Sequence, residues 1–167
     1  AAPPWGLREF AAARHPRDGR WLIVGGVDPG TGATVADCWW LDADRAALLR
    51  GPTLPLERGA CRLHVAAIER GLAVIGGEWR GLGSRGDANA SLLLVANAAR
   101  ETEWRRLAPL PRSGSRRMPI AGDRGIELLG GYAFLDAESA AAQGETPGPR
   151  FDPKRYRLSI APLAAGD

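Results

Sequence analysis

Lysine is almost missing from this chain. Lys154 is the only one, so arginine supplies nearly all of the positive charge carried by 22 Lys+Arg. The glycine-rich stretch Gly25-Gly-Val-Asp-Pro-Gly-Thr-Gly32 therefore lacks the Gly-Lys-Ser/Thr of a phosphate loop. Two cysteines, Cys38 and Cys61, are too few for a disulfide framework and lack metal-site spacing. They read as small buried hydrophobes. His15 and His64 are the only histidines, and no His/Cys/carboxylate cluster has ligand spacing, so no metal and no cofactor is expected. His64 lies within a strand-like run and reads as a structural, hydrogen-bonded histidine. No serine sits in a Gly-x-Ser-x-Gly elbow. The apolar runs are short, far below the roughly 20 residues of a membrane span, so no membrane partner is expected. No charged-then-apolar leader precedes the first apolar run, and the compartment stays unassigned.

What is present suits a globular chain rich in turns. Its 167 residues are 45% hydrophobic and 25% charged, with Gly 22 and Pro 13 above average usage. The net charge is +3, yet Asp+Glu number 19 and the arginines are spread along the chain. That distribution reads as a solvated mixed surface and argues against a nucleic-acid footprint.

Three double glycines each end a short apolar run: Gly25-Gly26, Gly76-Gly77 and Gly130-Gly131. Gly25 to Gly76 is 51 residues and Gly76 to Gly130 is 54. A period near 50 marks a repeat architecture. Proline-leucine elements recur before each pair, at Pro3-Pro4-Trp5, Leu54-Pro55-Leu56 and Pro109-Leu110-Pro111, and Pro162-Leu163 follows the last. Asp42, Asn97 and Asp152 form a third series, each followed by a bulky apolar residue: Leu48, Trp104 and Tyr156. The best-formed unit predicts four strands, near Ala60 to Ile68, Leu72 to Gly76, Ser91 to Ala96 and Glu103 to Leu107. Trp39 and Trp40 are adjacent and so face opposite sides of a strand. A sheet apolar on both faces must be sandwiched between neighbours.

Leu-Pro-Leu-Glu-Arg (54–58), Leu-Ala-Val-Ile-Gly-Gly (72–77) and Trp-Arg-Arg-Leu-Ala-Pro-Leu-Pro-Arg (104–112) together resemble kelch repeats, and more widely the galactose-oxidase-like central propeller. The resemblance covers nearly the whole chain. It implies an all-β fold: a kelch-type β-propeller segment of about three four-stranded antiparallel blades, in units near 4–54, 55–110 and 111–163. Gly25, Gly26, Gly76, Gly77, Gly130, Gly131 and Trp104 are then structural. The first unit departs by having Leu48 in place of tryptophan, and the third by having Tyr156. Residues 134–149 form an Ala- and Gly-rich insertion, in which 136–144 predicts a short helix. Copper chemistry of the galactose-oxidase kind is not supported, because no matching ligands surround Tyr132 and Tyr156.

Three units fall short of the four to eight blades of a closed propeller. Two open flanks with apolar faces are expected, so the ring is completed by further blades in the same chain or by self-association. A competing pattern is Gly81-Leu-Gly83-Ser-Arg-Gly86, a literal G-x-G-x-x-G, followed by 87–100, which also reads as a helix capped by Asp87. Gly77 to Gly81 separate it from the apolar run, whereas a dinucleotide turn follows its strand directly. The repeat reading is preferred.

Candidate binding residues are of two kinds. Arg58 and Arg62, and Arg112, Arg116 and Arg117, precede successive double glycines, where kelch-like blades start their innermost strand. They suggest an anion or acidic-partner site, or else pairing between blades with Asp42, Glu57 and Glu103. Glu78, Trp79 and Arg80 read as the start of a loop on one propeller face. Asn89-Ala-Ser91 is a glycosylation sequon. The function expected is a non-catalytic scaffold that recognises a protein or a small polar or anionic ligand. The alternative is a sugar-active enzyme resembling sialic-acid mutarotases, using Arg58, Arg62, Arg112, Arg116 and Glu78. No nucleophile–base pair is visible, which favours the scaffold.

Overall fold

The computed structural model describes residues 6–69, 71–81, 83–96, 102–110, 118–122, 125–135, 137–142, 144–151 and 153–159. The chain is all-β. Strands β1 (Ala11–Arg14), β2 (Trp21–Val24), β3 (Cys38–Asp42) and β4 (Ala47–Arg50) form a first antiparallel sheet in sequence order. Strands β5 (Cys61–Ile68), β6 (Gly71–Gly81), β7 (Ser84–Ala96) and β8 (Thr102–Arg106) form a second. The third is built from β9 (Met118–Gly122), β10 (Gly125–Leu129) and β13 (Arg155–Ser159), in the order β13-β10-β9. Between β10 and β13, β11 (Tyr132–Leu135) and β12 (Gly148–Phe151) pair with each other and enclose the helix α1 (Ala137–Ala142). The expected insertion and its short helix are therefore the tip of a hairpin.

The double glycines repeat in conformation as well as in sequence. Their φ angles are 60° and 116°, 72° and 92°, and 56° and 116°. These are left-handed values that side chains other than glycine adopt at a cost. Gly25 also lies against the next unit. A Cβ there would sit 2.2 Å from the Ala60 carbonyl oxygen, which accepts a hydrogen bond from Gly26 N at 2.8 Å.

Strand register shows how the sheets stack. In the first sheet one face carries the row Ala13, Leu22, Trp40 and the row Ala11, Val24, Cys38. These pack against Leu72, Leu94 and Val74, Leu92 of the second sheet. The opposite face of the second sheet carries Ala73, Leu93 and Ile75, which pack against Ile126, Leu158 and Leu128, Tyr156 of the third. Counted from the first glycine of each pair, positions −3 and −1 of one sheet always meet positions −4 and −2 of the next. Leu72, Val74, Ile75, Leu92, Leu94, Ile126 and Leu128 are at most 1% exposed. Each such side chain contributes on the order of 2 kcal/mol by leaving water.

The first strands converge: β1 lies against β5, and β5 against β9. Small residues dominate there, at Ala11, Ala12 and Ala13 and at Ala66 and Ala67, as a tapering interior requires. Trp104, on β8, donates from Nε1 to the Pro52 carbonyl at 3.0 Å and ties the outer strand of the second sheet to the linker that leaves the first. Trp40 packs toward the second sheet, and the buried Trp39 lies on the other face. Cys38 and Cys61 are free and buried, and burial pushes their thiols up to about 12 and about 11. This architecture is compatible with a propeller, although the three sheets do not close a ring.

Several sequence expectations are corrected. Glu78, Trp79 and Arg80 do not start a loop: β6 continues through them to Gly81 after a bulge between Gly76 and Glu78. The G-x-G-x-x-G pattern is the tip of the β6–β7 hairpin, where Gly81 pairs with Ser84, and 87–96 is strand rather than helix. Alternating burial against two neighbouring sheets outweighs the helix propensity of its alanines and leucines. Tyr156 lies on the strand next to β10, so it is not the counterpart of Leu48 on β4 and Trp104 on β8. Nor are both flanks apolar. The outer face of the third sheet carries Glu127, Arg155 and Arg157 beside Ile120 and Leu129.

Gly25→Ala is expected to cost several kcal/mol, because it meets both an unfavourable φ and a backbone oxygen. Gly32→Ala, at φ 70° with nothing within 4 Å, should cost about 1 kcal/mol from conformation alone. Urea unfolding of the two variants checks the difference.

Candidate functional site

Charged side chains from two sheets gather at the glycine ends of the inner strands. Glu9 precedes β1, Arg62 lies in β5, and Glu78 and Arg80 lie in the far half of β6. Arg62 Nε is 2.6 Å from Glu9 Oε2, and its NH1 group donates to both Glu78 oxygens at 3.3 and 3.2 Å. Arg80 donates from NH1 and NH2 to the two Glu9 oxygens at 3.1 and 2.9 Å, a bidentate pair. Its NH2 group is also 3.6 Å from Glu78 Oε2. The four groups form a closed cycle of alternating sign, with no net charge. Each is partly exposed, between 16% and 32%. Burial lowers the Arg62 pKa, but the adjacent Glu78 and Glu9 outweigh it and hold the guanidinium above its usual value.

The backbone holds this cycle at a cost. Glu9 and Arg62 have φ of 55° and 52°, left-handed for non-glycine residues. Strand register places Glu9 across from Gly26 and Arg62 across from Gly77. The two strained residues thus occupy equivalent places in successive sheets, and Arg62 N donates to Glu9 O at 2.9 Å. Strain of this kind concentrates at functional sites.

Neighbouring segments fix the rim. Asp28 Oδ1 accepts from Gly30 N, Thr31 N and Thr31 Oγ1 at 3.0, 2.8 and 2.9 Å, closing a turn at Asp28-Pro29-Gly30. Those bonds, led by the Thr31 amide, keep the Asp28 carboxyl below its usual range. Thr34 N donates to Arg80 O, and Thr34 Oγ1 donates to Arg58 O, joining the loop of the first sheet to β6. The Arg58 guanidinium lies 4.2 Å above the Trp79 ring. The Trp79 indole also lies across Gly86, where a Cβ would come within 2.8 Å of it. Trp79 is therefore packed down between Arg58 and a glycine and does not present a free flat face.

Of the residues anticipated from sequence, Arg62, Glu78 and Arg80 meet in the cycle, while Arg58 and Trp79 form a stack beside it. Arg112, Arg116 and Arg117 lie outside the described residues. The anticipated carboxylate partners do not take part: Asp42 pairs with Arg45, and Glu103 with Arg105. Glu9 was not anticipated. Its distance from Gly26 differs from that of Arg62 to Gly77 because the first hairpin is longer, so only strand pairing aligns them.

A second polar region lies at the other end of the first sheet, in a cleft of about 520 Å³ lined by Arg14, Asp18, Trp21, Asp42, Arg45 and Leu49. Its charges are largely satisfied internally, with Arg20 2.7 Å from Asp18. Burial raises the Asp18 pKa, but the hydrogen bonds from Arg20 win and hold it low. His15, in the adjoining turn, is buried with its ring edge-on to Trp40. Among the described residues, no three His, Cys, Asp or Glu side chains gather as a metal site, and no helix is long and apolar enough to cross a membrane. No protein-family model matches the chain, and no curated protein matches it.

Two measurements follow. His64, on β5, is half-buried, but its Nε2 has no partner where a hydrogen-bonded histidine was expected, and burial lowers its pKa from 6.5. The folded state therefore favours neutral His64. Its contribution to stability is full above about pH 6.5 and is lost as pH falls through the lower folded value. Denaturant titrations between pH 7.5 and 5 should show that slope, and His64→Leu should flatten it. A double-mutant cycle of Glu9→Gln and Arg80→Gln should give a coupling of about 1 kcal/mol, because the pair is bidentate but partly exposed.

Proposed function

We propose that the chain is a run of kelch-type propeller blades acting as a non-catalytic binding scaffold, with its recognition end at the Glu9–Arg62–Glu78–Arg80 cycle. The observation that carries this is the meeting, at one end of the inner strands, of opposite charges from two successive sheets on a strained backbone. A binding end of this kind costs stability, which partly exposed ion pairs return only in part. The repeated inter-sheet spacing supports the blade reading.

Because the cycle is neutral, it favours a neutral or zwitterionic polar ligand over the anion suggested by the arginines alone. Planar guanidinium and carboxylate groups side by side supply donors and acceptors that match neighbouring hydroxyls. Such binding depends little on salt.

Ligand-observed NMR with methyl glucoside, N-acetylneuraminate and an acidic peptide tests the reading. The neutral sugar should bind, with less than about a two-fold change between 0.05 and 0.5 M salt. Glu78→Gln should weaken binding about ten-fold, by loss of one charge-assisted acceptor. Asp44→Asn, at the far end of the sheet, should leave it unchanged. Binding confined to the anionic probes would overturn the neutral-ligand reading. Faster interconversion of sugar anomers would instead favour the enzyme related in form to sialic-acid mutarotases.

A further inference from the structure

We infer that the outer face of the first sheet is a docking surface for the third sheet of a second copy of this chain, packed in the same sense as the sheets within the molecule. The inference rests on strand register and does not depend on the ligand reading above.

Each internal interface joins positions −3 and −1 of one sheet to positions −4 and −2 of the next, counted from the double glycine. Among the described residues, two faces are left unmet. On the first sheet, the −4 row is Arg14, Trp21, Leu41 and Leu48, and the −2 row is Ala12, Ile23, Trp39 and Arg50. Five of these eight residues are large and apolar, and Trp21 is 41% exposed. On the third sheet, the −3 row is Ile120, Glu127 and Arg157, and the −1 row includes Leu129 and Arg155. Ile120 is 45% exposed and Leu129 36%. The unmet −4/−2 face and the unmet −3/−1 face are the two halves of the interface already built twice.

Their chemistry is complementary. On the first face the exposed indole is Trp21, Trp39 being buried, and the acids at its edge, Asp18 and Asp37, are each paired with an arginine. The third offers the exposed Arg157, a Glu127–Arg155 ion pair, and two aliphatic side chains, Ile120 and Leu129. Arginine over tryptophan is a contact this molecule already uses, at Arg20 over Trp40 (4.6 Å) and Arg58 over Trp79 (4.2 Å). Arg14, beside the inner edge of the first face, is opposite in sign to Glu127, which within one chain is paired with Arg155. Stacking the first face on a copy of itself would set −4/−2 rows against −4/−2 rows, a pairing found at neither internal interface. It would also bring to Trp21 only Arg14 and Arg50, of which Arg50 is already 2.8 Å from Asp37, whereas the third sheet brings the exposed Arg157 as well as the Glu127-paired Arg155. Two chains joined at both ends would make six sheets, within the four to eight of a closed ring. The contact is heterologous, so closure rather than open growth depends on the angle between sheets.

Light scattering of the intact chain in solution tests this. The expected mass is twice the 17.7 kDa of one chain. Trp21→Glu and Arg157→Glu each alter one of the two faces, and each should weaken association at least ten-fold, at about 1.4 kcal/mol per decade. An equimolar mixture of the two variants should recover a 1:1 pair, because the intact third sheet of one meets the intact first sheet of the other. Far-UV circular dichroism verifies that each variant is folded. If Trp21→Glu unfolds the chain, the exposed Arg157→Glu variant decides alone. A wild-type mass of one chain at about 100 µM, a mass that rises without limit with concentration, or a dimer insensitive to Arg157→Glu would each overturn the inference.

Discussion

The middle sheet is apolar on both faces. Leu72, Val74, Leu92 and Leu94 point one way, and Ala73, Ile75 and Leu93 the other, and none is more than 2% exposed. A strand with side chains alternating across it cannot hide both sets with one neighbour. Water is excluded only if a sheet lies on each side, and the first and third sheets supply these. Most other features follow from that demand. The linkers must carry the chain across from the outer strand of one sheet to the inner strand of the next. The inner strands must be small enough to converge, and the double glycines must let the Ala60 carbonyl come within reach of Gly26.

At that crossing the chain also places its most constrained charges. Glu9 and Arg62 take up left-handed backbone conformations across from the second glycine of successive pairs. Conformational cost alone would favour glycine at both positions. Charged residues stand there instead, and their side chains close a cycle with Glu78 and Arg80. The cycle spans two sheets, so it latches the first to the second where their inner strands meet. A latch needs charge pairing but not exposure, whereas these groups keep between a sixth and a third of their surface in water. That retained exposure is why the cluster reads as a recognition end as well as a latch.

Much of the fold was legible because one constraint, the period of the double glycines, repeats in sequence. The strands of the second unit, the opposed faces of Trp39 and Trp40, and the short helix within 136–144 all followed from local pattern. What failed had a common cause. Glu78 to Arg80 read as a loop because glycines usually end strands, yet a bulge lets β6 continue past Gly76 and Gly77. Tyr156 was matched to the wrong strand because the hairpin enclosing α1 shifts every later marker. Glu9 was invisible because unequal hairpins hide its equivalence to Arg62. In each case pairing between strands, not spacing along the chain, carries the information. The positions of Arg62, Glu78 and Arg80 were found from residue type and place, but their mutual pairing needed the geometry.

The two ends of the stack differ in a way that period alone cannot reveal. Positions −3 and −1 are Leu22 and Val24 in the first sheet and Ala73 and Ile75 in the second, all of them buried. In the third sheet the same positions hold Glu127 and Leu129, and the neighbouring strand presents Arg155 and Arg157. The third sheet's outer face thus mixes charge with the exposed Ile120 and Leu129, whereas the face bearing Trp21, Ile23, Leu41 and Leu48 is mostly apolar and stands in water only at a cost. The Glu9–Arg62–Glu78–Arg80 cycle lies elsewhere, at the glycine ends of the inner strands rather than on a sheet face. The proposed assembly through faces and the proposed recognition through strand ends therefore draw on separate residues. Docking on the Trp21 face would involve neither Glu78 nor Arg80, so the proposed assembly does not close the proposed binding end.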